Sequence, residues 1–171
     1  MAVLDIIIAP DPRLKRRCDP VAAIDDNLRA FMDDLLETMY AANGIGLAAA
    51  QVGDGRRVVV IDLARDGEEA RPMRFVNPEI VWVSDEDATY EEGCLSLPEH
   101  YADVVRPARV RVAYLDETGA AHEIEADGLL STCLQHEIDH LDGVIFVDHV
   151  SSLKRNMILR KLTKMKKVAA A

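Results

Sequence analysis

The sequence predicts an α+β fold, with mostly antiparallel strands packed around a central helix and further helices near the N-terminus and at the C-terminus. Three observations lead there. Two well-separated segments place apolar residues at helical spacing. A mostly apolar helical segment ending in HEIDHL lies between them. Short strand-like runs are set off by turn residues. No repeat, low-complexity tract or Pro/Gly-rich linker divides the 171 residues, so one domain is expected over 1–171.

The first helix is expected from Ile24 to Tyr40, where Ile24, Leu28, Phe31, Met32, Leu35, Leu36 and Met39 form an apolar stripe. Asp25 or Asp26 can cap its start, and Gly44 sits where a C-terminal glycine belongs. Strands are expected at Arg57 to Asp62, Met73 to Asn77, Ile80 to Ser84, Val110 to Tyr114 and His122 to Glu125. The central helix runs from about Leu129 to Leu141, stopped by Gly143. The last helix runs from about Ser152 to Val168, with Leu153, Met157, Ile158, Leu162 and Met165 on one face and basic residues elsewhere.

Composition narrows the function. Hydrophobic residues make up 49% of the chain, enough for one sizeable core, yet no run of eighteen apolar residues suggests a membrane span. The early basic cluster follows the short apolar run, whereas a secretory signal needs it in front. Three cysteines without an export signal are read as reduced thiols, so a cytoplasmic location is expected. Net charge of −10 argues against broad nucleic-acid binding. That charge is uneven. Seven of the 20 basic residues fall between Lys154 and Lys167 with no acidic one, leaving 13 basic against 30 acidic elsewhere. A basic tail on an acidic body suggests a partner of its own.

The segment Gln135-His136-Glu137-Ile138-Asp139-His140 contains H-E-x-x-H. With His136 at 0°, helical geometry puts His140 at about +40°, Cys133 at about +60° and Glu137 at about +100°. Two imidazoles on one face of an apolar helix favour a metal site over two hydrogen-bonded core histidines, because unpaired they are costly to bury. Glu137 is the expected base. Asp139, at about −60° on the other flank, is read as a salt-bridge residue with Arg106 as candidate partner. The third ligand stays open at this point. Cys133 shares the stripe but crowds the same ion from one turn away, and Cys94 lies 42 residues before His136. One cysteine and two histidines leave a position open for water, whereas two of each close the site.

Two further segments stand out. Glu92 to Pro98 (EGCLSLP) reads alone as a turn between strand-like stretches. Gly44 to Gly53 (GIGLAAAQVG) lacks the lysine of a phosphate-binding loop, but its small residues leave backbone amides open to a substrate beside Gln51.

Together, the three segments resemble the peptide deformylase family closely. Its motifs are G-φ-G-φ-A-A-x-Q, E-G-C-φ-S and H-E-φ-D-H, in this order. The sequence supplies Gly44 to Gln51, Glu92 to Ser96 and His136 to Leu141 without a departure inside any motif. The opening APDPRL and the C-terminal helix fit the family's common bacterial form, so the resemblance spans essentially the whole chain. Tyr101 stands where some bacterial members carry arginine, a departure that touches substrate contacts and not the chemistry.

The resemblance implies that Cys94, His136 and His140 bind one divalent metal, Fe²⁺ natively, with Zn²⁺, Ni²⁺ or Co²⁺ able to substitute. It implies Glu137 as general base and acid in removing the formyl group from the N-terminal formylmethionine of new polypeptides, releasing formate. The Leu95 N–H and the Gln51 amide would hold the oxyanion. An extended peptide would pair with the backbone near Ile45, Gly46 and Leu47, and Glu92 would also meet the substrate. Leu129 and Cys133 would line the pocket for the methionine side chain. In this family a similar basic helix contacts the ribosome. Two competing expectations remain: a generic zinc endopeptidase, which leaves EGCLS and the glycine-rich motif unused, and a non-catalytic metal- or ribosome-binding relative, which has no need of Cys94, Gln51 and Glu137 together.

Overall fold

Helix α1 (Asp26–Ala41) begins where Asp25 accepts a hydrogen bond from the Leu28 N–H at 2.8 Å and buries Leu28, Met32, Leu35, Leu36 and Met39. Its end differs from expectation. Asn43, at φ 58°, takes the left-handed position, with Asn43 N–H bonded to Tyr40 O and Gly44 N–H to Met39 O. This is a Schellman closure with asparagine in glycine's usual place. Gly44 makes a close approach instead: a Cβ there would lie 2.7 Å from Leu95 Cδ1, so the leucine would have to shift. The computed structural model describes residues 2–170; Met1 and Ala171, the two ends of the expected domain, lie outside the described residues.

Five strands form one antiparallel sheet, in the order β1 (Gly46–Ala48), β2 (Val58–Ile61), β3 (Met73–Val83), β6 (Val110–Leu115) and β7 (Ala121–Ala126). Every side chain of β2 is buried, as a Val-Val-Val-Ile run covered on both faces should be. The two strands expected on either side of Asn77-Pro78 are one strand, β3, with a register shift between Val76 and Glu79. Asn77 sits at φ 50° in that irregularity, and its side chain bonds both the N–H and the C=O of Val21. The kink that looks like a chain break in sequence is thus a bulge tied down from outside.

Strands β4 (Asp87–Cys94) and β5 (Leu97–Pro107) form a separate hairpin, longer than the turn expected around EGCLS. They carry few β-branched residues and expose Glu91, Glu99 and Asp103, so the usual strand signals are weak. Helix α2 (Gly128–Leu141) runs between hairpin and sheet, with Leu134, Ile138 and Leu141 packed among Val59, Ile61, Phe75 and Val112. Helix α3 (Ser152–Ala170) closes the molecule. Of the five residues expected on its apolar face, only Ile158 and Leu162 are buried; Leu153 is 81% exposed, and Met157 and Met165 are also exposed. The helix touches the body along one narrow line, against Ile7, Leu14, Phe146 and Val147.

Candidate active site

Helix α2 presents His136 and His140 one turn apart, with ring centroids 5.0 Å from each other. The end of β4 brings Cys94 to the same point, its Sγ 3.3 Å from His140 Nε2. One donor atom from each of Cys94, His136 and His140 lies within 4.8 Å of the others, the one such group among the described residues. A sulfur and an imidazole nitrogen on one tetrahedral ion stand roughly 3.5 Å apart, so the observed spacing fits a shared cation. Cys133, the alternative on the helical stripe, is not in this group. Its Sγ lies instead 2.9 Å from where a Cβ on Gly46 would stand, and burial pushes its thiol well above the usual range.

The surrounding residues prepare His136 for that role. Glu92 shares a face of β4 with Cys94 by the two-residue period of a strand, and its Oε1 lies 2.9 Å from His136 Nδ1. That contact holds the ring and leaves Nε2 for an ion. Glu92 in turn accepts from Arg106 at 2.7 and 3.0 Å, and Arg106 donates to Asp139 at 2.8 Å, the pairing expected from sequence. Glu92, expected to meet the substrate, therefore commits both carboxylate oxygens to holding the site. Burial alone would raise its carboxyl, but the bonds from His136 and Arg106 outweigh this and hold it down to about 2.

Electrostatics separate the two imidazoles. Burial and the charge of His136 push His140 well below the ordinary histidine range. Burial acts the same way on His136, but the Glu137 charge and the contacts with Cys94 and Glu92 overcome it and raise that histidine well above the range. His140 Nδ1 and Glu137 Oε1 are buried without a hydrogen-bond partner. Burial raises the Glu137 carboxyl to about 7, where it can both take and give a proton near neutrality.

A cavity of about 460 Å³ opens over these groups. Ile45, Gly46, Gln51, Cys94, Leu95, Leu129, Cys133, His136 and Glu137 all line it. Gln51 stands on a 3₁₀ turn (Ala49–Val52), where its Oε1 accepts from the Ala48 N–H at 3.0 Å. Its Nε2 is thereby aimed at Ser96 Oγ (3.1 Å) and Cys94 Sγ (3.5 Å). Leu95 occupies the β4–β5 turn next to Cys94. Strand β1 is an edge of its sheet, and a Cβ on Gly46 would lie 2.6 Å from Glu137 Oε2, so a side chain there would have to displace that carboxylate. The Leu47 side chain is fully buried with the α1 core, which leaves its backbone to meet a substrate.

Three further residues were not singled out from sequence. Ser96 is fully buried beside Gln51, and Glu91 and Glu99 stand exposed at the mouth near Tyr101, which is 60% exposed with its ring over Gly93. The backbone of Glu99 is left-handed at φ 66°, where β5 departs from its pairing with β4. No helix among the described residues is long and apolar enough to cross a membrane.

Comparisons with known proteins point to one family. A family model described as polypeptide deformylase matches residues 3–156. A peptide deformylase of Phenylobacterium zucineum is 57% identical over 169 residues, covering 99% of this chain and 100% of the relative. One of Brucella suis is 56% identical over 165 residues, covering 96% and 94%. Among solved structures, peptide deformylase from Ehrlichia chaffeensis superposes with a TM-score of 0.94 at 38% identity, covering 99% of this chain and 100% of that one. A second Ehrlichia chaffeensis structure, in complex with actinonin, superposes at 0.92 with 42% identity, covering 96% and 98%.

Proposed function

The chain belongs to the polypeptide deformylase family, and from that premise we propose that Cys94, His136 and His140 hold the metal with which it removes the N-formyl group from new polypeptides. The observation that carries this reading is the convergence of one sulfur and two imidazoles within 4.8 Å, beside a buried carboxylate oxygen that has no other partner. One thiolate and two imidazoles with an open position suit Fe²⁺ or Zn²⁺. The family resemblance favours Fe²⁺ as the native ion, with Zn²⁺, Ni²⁺ or Co²⁺ as substitutes. Bound there, a divalent ion would supply Lewis acidity, which can bring the pKa of water from about 15.7 to near 7.

The remaining work falls to the chain's own groups. Glu137 takes a proton from the attacking water and passes it to the leaving amine, a role worth ~10²–10⁴-fold. The formyl carbon gains the water oxygen, its bond to nitrogen breaks, and formate leaves. As charge gathers on the carbonyl oxygen, the Leu95 N–H and the Gln51 Nε2 donate to it. Gln51 is held for this by its contact with the Ala48 N–H, and one such donor is commonly worth ~10²–10³-fold. Gly46 on the open edge of β1 lets an extended peptide lie close to Glu137. Leu129 and Cys133 take the methionine side chain.

Helix α3 is read as a docking element for the ribosome in the cytoplasm, where new formylated chains emerge. Arg155 pairs with Asp148, and Lys166 bonds the carbonyls of Ile8 and Pro10. Lys154, Arg160, Lys161, Lys164 and Lys167 remain for phosphates.

The reading is tested by the release of new amino groups from an N-formylmethionyl peptide, from its N-acetyl counterpart and from an unblocked peptide. Release confined to the formyl substrate supports it. Comparable turnover of the other two sinks it.

A further inference from the structure

The buried pairs that hold His136 do not end in the interior. Arg106 spends its Nε and one terminal nitrogen on Glu92 and its other terminal nitrogen on Asp139 Oδ2. The same Oδ2 stands 2.8 Å from His149 Nε2. Read outward from the metal ligand, the order is His136, Glu92, Arg106, Asp139, His149. Side-chain exposure rises along it, from 5% at Glu92 and Arg106 to 24% at Asp139 and 35% at His149. A guanidinium clamped between two carboxylates loses part of its restraint when the looser clamp moves. The looser one is Asp139, and His149 is the group that holds it from the solvent side.

The position of His149 ties it to the site in a second way. It closes the 3₁₀ turn Phe146–His149, and Phe146 at the start of that turn stacks on His136, with centroids 6.2 Å apart and planes 23° from parallel. One four-residue turn therefore meets the ligand directly through a ring and indirectly through three hydrogen-bonded groups.

We propose that His149 is a positioning residue of the metal site, acting on His136 through Asp139, Arg106 and Glu92. The inference rests on the metal-hydrolase reading above. An immediate partner of a ligating histidine is worth ~10–100-fold in metal affinity. His149 is three groups further out and partly screened, so its removal costs roughly three- to tenfold.

The test uses the full chain loaded with Zn²⁺, as wild type, His149→Phe and His149→Gln. Metal loss to excess chelator is followed, together with the melting temperature of each metal-free protein. Glutamine keeps an N–H donor at similar reach; phenylalanine does not. The proposal expects His149→Phe to lose metal roughly three- to tenfold faster, His149→Gln to stay near wild type, and the metal-free melting temperatures to agree. His149→Ala serves as a second donor-less variant if His149→Phe does not fold. Equal metal loss by wild type and the donor-less variants overturns the proposal and leaves the metal reading standing. Glutamine behaving like phenylalanine also overturns it. A wild type that takes up no metal overturns both.

Discussion

Cys94 Sγ and His140 Nε2 lie 3.3 Å apart, although 46 residues separate them along the chain. The contact is made by the tip of a hairpin against the last turn of a helix, and it favours Cys94 over Cys133 as the third ligand. Cys94→Ala should therefore abolish stable metal uptake, whereas Cys133→Ser should keep the metal and alter only the handling of the methionine side chain. Metal content after gel filtration distinguishes them. Loss of metal in Cys133→Ser with retention in Cys94→Ala would reverse the assignment.

Glu92 is buried between His136 and Arg106, so Arg106→Leu leaves a carboxylate without its main partner. Breaking a buried ion pair from one side typically costs about 3–5 kcal/mol. Urea denaturation should show a loss of that order, and faster metal release should accompany it. An unchanged midpoint would mean that the pair contributes nothing.

The same carboxylate gives a pH dependence with a definite sign. Its folded pKa is depressed, from 4.5 to about 2. The stabilisation is thus fully present above about pH 4.5 and is lost as pH falls towards 2. Glu92→Gln should flatten the stability profile across that interval, measured by urea midpoints at several pH values. A profile as steep as that of wild type would place the acid sensitivity elsewhere.

A methyl group on Gly46 would stand 2.6 Å from Glu137 Oε2 and 2.9 Å from Cys133 Sγ. Gly46→Ala should fold, since strand backbone suits alanine, but it must displace the carboxylate. Formate release should fall by ~10²-fold, comparable with weakening a general base. Activity within twofold of wild type would show that the close approach is not needed.

The basic face of α3 should act on docking and not on chemistry. Replacing Lys154, Arg160, Lys161, Lys164 and Lys167 by glutamine should weaken salt-sensitive sedimentation with ribosomes. Turnover of a short formyl peptide should not change. Undiminished co-sedimentation would remove the helix from that role.

What could be read in advance follows from the range of each signal. Helix α2 was legible because its ligands lie four residues apart on one apolar helix, all within local periodicity. The third ligand was not, because choosing Cys94 over Cys133 depends on how a hairpin docks. Only the resemblance through EGCLS supplied that. The hairpin itself was obscured by acidic residues on its exposed face, and β3 by a bulge whose Asn-Pro step mimics a break. Glu92 could have been recognised as a partner of the site, since it sits two residues before Cys94 and must share its face. His149 carried no such signal, as its link to His136 exists only in the folded chain.

The central claim is that Glu137 works as a base beside a metal held by Cys94, His136 and His140. The most direct measurement takes anaerobically purified wild type and Glu137→Gln and records, on the same samples, metal per chain and formate released from a formylmethionyl peptide. The account predicts one divalent ion per chain in both, with formate release in the variant reduced by ~10²–10⁴-fold. Equal formate release by the two proteins, or metal-loaded wild type that releases none, would contradict it.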